Sequence, residues 1–246
     1  TMGTIAAFST MSGKHHATGA QGGVVFTKHE ALYWAARRAS DRGKPFGPKG
    51  SAGPAPVAAS SVAGAAGNLI AAHNLNLNDL AATIGRVQLK KLERIVAGRR
   101  RVAAAIAAGL TRSRVVSPGW QPDGAEAAYW FMRLHVDERR LTVDATTFAR
   151  ALAAEGIPLN ASYGGALQSH APWFVEHHAF GTSGYPWSAP EYRARGGDPH
   201  RQFPCPNAVA VIRSDFNLSI HESWTDQEVA DTLAAIEKVE RAYLKP

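Results

Sequence analysis

The stretch FSTMSGKHHATGAQGGVVFT, residues 8–27, places Lys14 among small residues between two apolar segments. Residues 4–9 and 24–26 have the length and apolar character of short strands, so the residues between them are predicted to form a loop. A lysine amine that has lost its proton can bond reversibly to an aldehyde or ketone. The stretch therefore predicts a strand–loop–strand unit in which the loop carries a single lysine amine.

Other side chains of the same loop suit the binding of a phosphorylated ligand. The hydroxyls of Ser9 and Thr18 can hold a phosphate, because hydroxyl groups donate hydrogen bonds to its oxygens. His15 and His16 stand beside Lys14 and either act on a substrate or only fill the loop. A single lysine in a glycine-containing loop is most often a solvated charge, so the composition of the loop alone assigns no function.

Helix signals follow the second strand. Thr27 and Glu30 match the capping-box pattern, which predicts a helix over residues 28–40. Residues 43–67 are rich in Gly, Pro, Ala and Ser and are predicted to form a long loop.

The clearest predicted element is a long helix over residues 79–110, capped by Asn78 or Asp79. Apolar residues recur at steps of three, four and seven, which gives the helix one apolar face. At about 1.5 Å per residue it would be a rod of roughly 45 Å, long enough to join two domains. We therefore divide the chain into residues 1–78, this helix, and a small α/β domain over residues 111–246.

The small domain is predicted from strands that alternate with helices. Thr225 and Glu228 form a second capping-box pattern. The predicted elements are strands over 127–136 and 217–221, helices over 142–156 and 225–244, an extended piece over 157–163, and a long aromatic- and histidine-rich excursion over 164–206.

Composition excludes several classes of function. The 246 residues carry a net charge of +7, and the basic residues of 90–101 are predicted to form a solvated helix face rather than a nucleic-acid site. No apolar run reaches the roughly 18 residues of a membrane span. The single cysteine, Cys205, rules out an internal disulfide, which suits the cytoplasm. The histidines match no zinc spacing, so no metal is expected.

Two motifs resemble those of one enzyme family. Ser9, Lys14 five residues later, Gly19 and the pair Gly22-Gly23 resemble the pyridoxal 5'-phosphate (PLP) lysine motif of DegT-type sugar aminotransferases, members of the fold-type I aspartate aminotransferase superfamily. A second segment, residues 73–100, resembles the start of the family's interdomain helix. The residues in register there are Asn74, Ala82, Gly85, Gln88, Leu89 and Leu92.

The resemblance implies a fold and a site. The fold class would be α/β, a partial fold-type I PLP-dependent transferase made of the end of the large domain, the interdomain helix and the small C-terminal domain. Lys14 would form the internal aldimine and Ser9 would bind the cofactor phosphate. Asn74 would reach the phosphate of the neighbouring subunit in a homodimer with shared sites. His15, His16 and Tyr163 would contact the substrate.

The implied reaction converts the keto group of a sugar or of a cyclitol into an amine, with glutamate or glutamine as the amino donor. Of the sugars, a nucleotide-linked keto sugar is the favoured substrate. Gln21 and Asn76 depart from the family pattern, which has an acidic residue and an arginine there. Only thirteen residues precede Lys14, so we expect a fragment, inactive alone, or a site completed by another chain. Two alternatives stay open: a PLP-dependent sugar dehydratase, whose relatives carry histidine in place of the lysine, and a non-catalytic partner protein.

Overall fold

The computed structural model describes residues 3–48, 68–163 and 167–246. The chain divides into two compact units, Thr1–Ile95 and Val96–Pro246, here unit 1 and unit 2. Within the described ranges the strands and α-helices are, in chain order, β1 Ile5–Ser9, β2 Gly23–Thr27, α1 Glu30–Ser40, α2 Asp79–Leu89, α3 Leu92–Leu110, β3 Val116–Pro118, β4 Met132–Val136, α4 Ala145–Ala154, β5 Leu159–Asn160, α5 Pro172–Val175, α6 Pro190–Ala194, α7 Pro206–Ser214, β6 Asp215–Leu218 and α8 Asp226–Tyr243.

Unit 1 contains the two strands and the loop that the opening stretch predicts, and the two strands pair as a hairpin. β1 and β2 pair antiparallel, with Ile5 opposite Thr27 and Ser9 opposite Gly23. The large apolar side chains of both strands are exposed; Phe8 is 52% and Val25 is 57% accessible. Among the described residues of this unit, the buried apolar side chains amount to Ala81 alone, so the hairpin is not covered by an apolar core of its own unit.

The first helix begins differently from the prediction. α1 starts at Glu30 with His29 as its N-cap residue, and no side chain caps it. The predicted capping box is wrong, because the Thr27 oxygen accepts the N–H of His29 at 3.1 Å, ahead of the helix, while its proton is donated to the Thr4 carbonyl oxygen at 2.8 Å. The Glu30 carboxylate accepts from the indole N–H of Trp34 at 3.1 Å, one turn along the helix.

The predicted single helix over 79–110 is interrupted. Its start is confirmed, because the Asn78 side chain accepts a backbone N–H of the first turn at 2.8 Å. α2 nevertheless ends at Leu89 and α3 begins at Leu92. The Lys91 N–H donates to the Gln88 carbonyl at 2.9 Å, a three-residue span that tightens the turn and breaks the regular α-helical ladder. The expectation of one continuous rod is therefore wrong.

Unit 2 contains a four-stranded antiparallel sheet in the order β3-β4-β6-β5. Alternate residues of β4 are buried, so Met132, Leu134 and Val136 share the apolar face. That face belongs to one core cluster with side chains of α3, α4 and α8, among them the fully buried Ile106 and Phe148. The predicted small α/β domain thus has a continuous core.

Several predicted boundaries in unit 2 shift. Of the predicted strand over 127–136, only Met132–Val136 is strand, and the predicted strand over 217–221 lies at Asp215–Leu218. α4 starts at Ala145, since the Asp144 carboxylate accepts the Thr147 N–H at 2.7 Å and caps the helix there. The helix α7 was not predicted, although Pro206 at its first position is a start signal. The capping box of Thr225 and Glu228 at α8 is confirmed.

The basic residues of α3 are less solvated than predicted. Arg99 is 9% exposed, and its guanidinium bonds the Glu222 carboxylate at 3.0 Å and two backbone carbonyls. Arg100 pairs with Glu126 at 3.0 Å. The prediction of a solvated face is therefore wrong for Arg99, which fastens α3 to other segments of unit 2.

The predicted excursion over 164–206 carries short helices and an aromatic cluster. α5 and α6 lie within it. Trp187 is buried against the rings of Phe174, at 5.3 Å, and His177, at 4.7 Å. Residues 164–166 of the excursion and residues 49–67 of the predicted loop lie outside the described residues.

Candidate active site

The loop that carries Lys14 is closed by backbone hydrogen bonds between its two ends. These bonds run from Thr10 N–H to Gly22 O at 2.9 Å, from Ser12 N–H to Ala20 O at 2.7 Å and from Thr18 N–H to Thr10 O at 2.9 Å. Gly22 allows the close approach, because a Cβ there would lie 2.4 Å from Thr18 Oγ1 and 2.6 Å from Thr10 Oγ1. The loop is consequently a closed turn with a defined shape.

Two threonine hydroxyls form the interior of this turn. Thr10 and Thr18 are both almost fully buried. The Thr18 hydroxyl donates to the Thr10 carbonyl at 3.0 Å, and since it has one proton it must accept the Thr10 hydroxyl, which lies 3.0 Å away. Thr18 therefore does not present its hydroxyl to a ligand, and the expectation that it holds a phosphate is wrong.

Lys14 and Ser9 occupy the outer side of the same unit. Lys14 is half-buried, and its backbone N–H donates to the Met11 carbonyl at 3.1 Å. The preceding residue, Gly13, has a positive φ of 88°, and a Cβ built there meets no atom within 4 Å. Ser9 is exposed, and its oxygen accepts from the Met11 N–H at 3.4 Å, which leaves its own proton for another acceptor.

These residues fit the part of PLP that each would hold. Lys14 provides an amine for the aldehyde of PLP, the space around Gly13 beside it is open, and the Ser9 hydroxyl is a donor for phosphate oxygen. The described residues contain no group of three or more metal-binding side chains.

A histidine fixes the loop to α2. His16 Nε2 lies 2.9 Å from the Gly85 carbonyl oxygen, which can only accept, so Nε2 carries the proton. Gly19 packs beside Ile84 of the same helix; a Cβ at Gly19 would lie 2.8 Å from Ile84 Cδ1. His15 is half-buried. The structure thus gives His16 a positioning contact, whereas the predicted contact of His15 and His16 with substrate stays a prediction.

Asn74 lies on a segment that pairs with the end of α1. A bridge joins Asn74 to Asp41, flanked by a hydrogen bond from Leu75 N–H to Ser40 O at 2.7 Å and one from Arg42 N–H to His73 O at 2.9 Å. Asn74 is exposed, so its side chain is accessible to a ligand.

The sequence analysis missed Asp41, which is buried at this junction. Arg42 and Lys44 approach its carboxylate at 2.8 Å and 3.2 Å. Burial alone would raise the pKa of Asp41, but hydrogen bonds from Arg42, Lys44 and Asn76 hold the pKa below its ordinary value. The sequence did offer a signal for this ion pair, because Asp41 stands next to Arg42 and near Lys44 at the end of a predicted helix.

Tyr163 belongs to unit 2. It is 37% exposed, and its ring lies 5.8 Å from that of Phe131. These contacts do not test the predicted role of Tyr163 in substrate binding, which stays a prediction.

The fold defines the class of protein. A lysine loop within a hairpin, a long helical segment and a small α/β domain make up part of a fold-type I PLP-dependent transferase, and solved structures confirm this. The aminotransferase TlmJ from Streptoalloteichus hindustanus is similar with a TM-score of 0.66 and 21% identity, covering 98% of this chain and 53% of that one. The aminotransferase from Psychrobacter cryohalolentis has a TM-score of 0.67 and 20% identity, covering 98% and 57%.

The family follows from the sequence match. The model of the DegT/DnrJ/EryC1/StrS aminotransferase family matches residues 1–189, and the chain belongs to this family. Aminotransferases of this family depend on PLP, which confirms the expected cofactor at the level of the family. No curated protein matches the sequence.

One similar structure has a different reaction. GDP-4-keto-6-deoxy-D-mannose-3-dehydratase from E coli, with bound hydrated PLP, is similar with a TM-score of 0.65 and 16% identity, covering 96% of this chain and 55% of that one. At such identities the likeness shows the fold. The chain spans about half the length of the solved structures that it matches. None of its described helices is long and apolar enough to cross a membrane.

Proposed function

We propose that this chain supplies the lysine side of the active site of a PLP-dependent sugar aminotransferase. Lys14 is the reactive amine, and Ser9 and Asn74 bind the cofactor phosphate. The observation that carries the proposal is the closed turn, which holds Lys14 half-buried, next to the open position of Gly13 and at the spacing of the family motif. Membership of the aminotransferase family supports it.

The residues of the chain have separate tasks in this proposal. When bound, PLP supplies an electron sink that lets a proton leave the carbon bearing the amine. Lys14 takes that proton and returns it to the other reacting carbon, for which its amine must be uncharged. Ser9 donates a hydrogen bond to the phosphate, and the closed turn keeps both side chains in one orientation without a further cost at each turnover.

The substrate would be a keto sugar, nucleotide-linked in the favoured version, or a keto cyclitol, with glutamate or glutamine as amino donor. His15, His16 and Tyr163 are proposed to contact it. The proposal includes a homodimer with shared sites in the cytoplasm, in which Asn74 serves the neighbouring subunit. The family and the similar sugar-processing structure support the sugar class.

The first prediction concerns covalent attachment at Lys14. Incubation of the chain with PLP followed by borohydride reduction should join the cofactor to Lys14 through a stable amine. Trypsin does not cleave after such a lysine, so Lys14 and Lys28 should appear in one uncleaved peptide with the added cofactor mass. Mass spectrometry of the digest measures this directly.

Two matched variants control the labelling. Lys14→Arg keeps the charge but cannot form the bond, and it should remove the label, whereas Lys28→Ala should leave label at position 14. Equal labelling of all lysines, or no label at Lys14, would overturn the proposal. Equal affinity of the wild type and Lys14→Arg for PLP would favour the sugar dehydratase alternative. Absence of PLP binding in both would favour the non-catalytic alternative.

A further inference from the structure

The amide of Asn74 has a defined orientation. Its Oδ1 accepts from Asn76 twice, from the side-chain Nδ2 at 3.0 Å and from the backbone N–H at 3.4 Å. An asparagine amide has one oxygen and one NH2 group on opposite sides. With the oxygen turned toward Asn76, the NH2 group of Asn74 points away from it.

Asn76 and Asp41 act on Asn74 in different ways. The Asn76 side chain sets the Asn74 amide, because Nδ2 of Asn76 can only donate and Asn74 Oδ1 accepts from it. Asp41 holds the backbone, because it pairs with Asn74 in a bridge. The Asp41 carboxylate is buried and held by Arg42 and Lys44, so this backbone partner is itself fixed.

We infer that Asn76 is a positioning residue that turns the Asn74 NH2 group outward, as a hydrogen-bond donor for an anionic oxygen. The backbone pairing of Asn74 with Asp41 holds the Cα of Asn74 in place, while the bond from Asn76 Nδ2 sets the rotation of the Asn74 amide. Asn76, where the family commonly has an arginine, thus acts through Asn74. That the anion is the PLP phosphate rests on the proposed function; the orientation itself does not.

The first test compares PLP with pyridoxal, which lacks the phosphate. Asn76→Leu removes the Nδ2 donor without adding charge and leaves only the longer backbone contact of 3.4 Å, so the Asn74 amide loses its fixed orientation. We expect the affinity for PLP to fall about tenfold, since one hydrogen bond to a charged group is lost, and the affinity for pyridoxal to stay unchanged. Asn76→Gln keeps the NH2 group and should recover most of the affinity. Asn68→Leu, at an exposed asparagine of the same unit, is the matched control.

A general structural defect would weaken both ligands alike, and this outcome would overturn the inference. An unchanged affinity of Asn76→Leu for PLP would overturn it as well.

The second test needs no cofactor. In the chain labelled with 15N-asparagine, the NH2 group of Asn76 should exchange its protons with water more slowly than that of Asn68, because Asn76 Nδ2 donates to Asn74 Oδ1. Inorganic phosphate should shift the NH2 signal of Asn74 and not that of Asn76. The opposite pattern, with Asn74 protected and Asn76 shifted, would show the reverse orientation and overturn the inference. If the wild type does not prefer PLP over pyridoxal, the proposed phosphate role fails, while the exchange pattern still decides the orientation.

Discussion

Three hydroxyl groups between residues 9 and 18, in and beside the loop that carries Lys14, differ in burial and in hydrogen bonding. Thr10 and Thr18 are buried and satisfy each other, whereas Ser9 is exposed and keeps its proton for a ligand. The difference is not visible in residue type, because serine and threonine carry the same group. It follows from the closure of the loop, which brings positions eight residues apart to within 3.0 Å.

At the residue scale, the threonine pair makes a sharp prediction. Thr18→Val keeps the shape but leaves the buried Thr10 hydroxyl without its acceptor, which should cost about 1–3 kcal/mol. Adding Thr10→Val removes the orphaned donor, so the double variant should lose less than the sum of the two single variants. Native-state hydrogen exchange at the Ser12 and Thr18 amides measures the free energy of opening of the loop.

Ser9→Ala is the control for this cycle, because the Ser9 hydroxyl is exposed. It should leave the exchange of the loop amides nearly unchanged. The description of the buried pair would be wrong if Thr18→Val behaved like Ser9→Ala.

Two identical capping patterns show how an element depends on its surroundings. Thr225 and Glu228 close a capping box at α8, whereas Thr27 and Glu30 do not close one at α1. Thr27 is the last residue of a paired strand, and α1 begins only at Glu30, so the Thr27 oxygen accepts the N–H of His29 rather than one inside the helix. The local pattern is a true helix-start signal only where the helix begins directly after the threonine.

At the element scale, the contact of the loop with α2 can be broken selectively. His16→Asn retains a side-chain amide but does not reach the position of Nε2, so the hydrogen bond to Gly85 is lost. We expect the amides of residues 12–18 to exchange about three- to tenfold faster, in line with one hydrogen bond of roughly 1 kcal/mol.

The longer His16→Gln places an NH2 group near the position of Nε2 and should restore the protection. Hydrogen exchange followed by mass spectrometry of the loop peptide distinguishes the two variants. Equal protection in both would show that the hydrogen bond does not fix the loop.

At the scale of the whole molecule, the two units differ in how their apolar residues are covered. Unit 2 has one contiguous core, with Phe148, Phe216 and Leu134 almost inaccessible to water. The large apolar side chains of β1 and β2 in unit 1 are exposed. We therefore expect unit 2 to account for most of the apolar stabilisation within this chain.

Replacement of a core ring should test that expectation. Phe148→Ala leaves a cavity in unit 2 and should lower the free energy of unfolding by about 3–5 kcal/mol. Phe180→Ala, at a position 67% exposed, should change it by less than about 0.5 kcal/mol. Urea unfolding followed by tryptophan fluorescence suits the measurement, because five of the six tryptophans lie in unit 2. Equal effects of the two variants would contradict the assignment of the core.

The sequence by itself determined the two strands on either side of the Lys14 loop, the capped starts of α2 and α8, the fold class and the family, because short apolar segments, helix caps and motif spacing are local properties of the chain. The tertiary structure decided which hydroxyls stay accessible, where the long helix breaks, and that α1 begins at Glu30 rather than directly after Thr27. It also decided that Asp41 holds the backbone of Asn74 and that Asn76 orients its side chain. These outcomes depend on hydrogen-bond partners brought together from distant segments, and a donor or acceptor bonds whichever partner the fold places within reach.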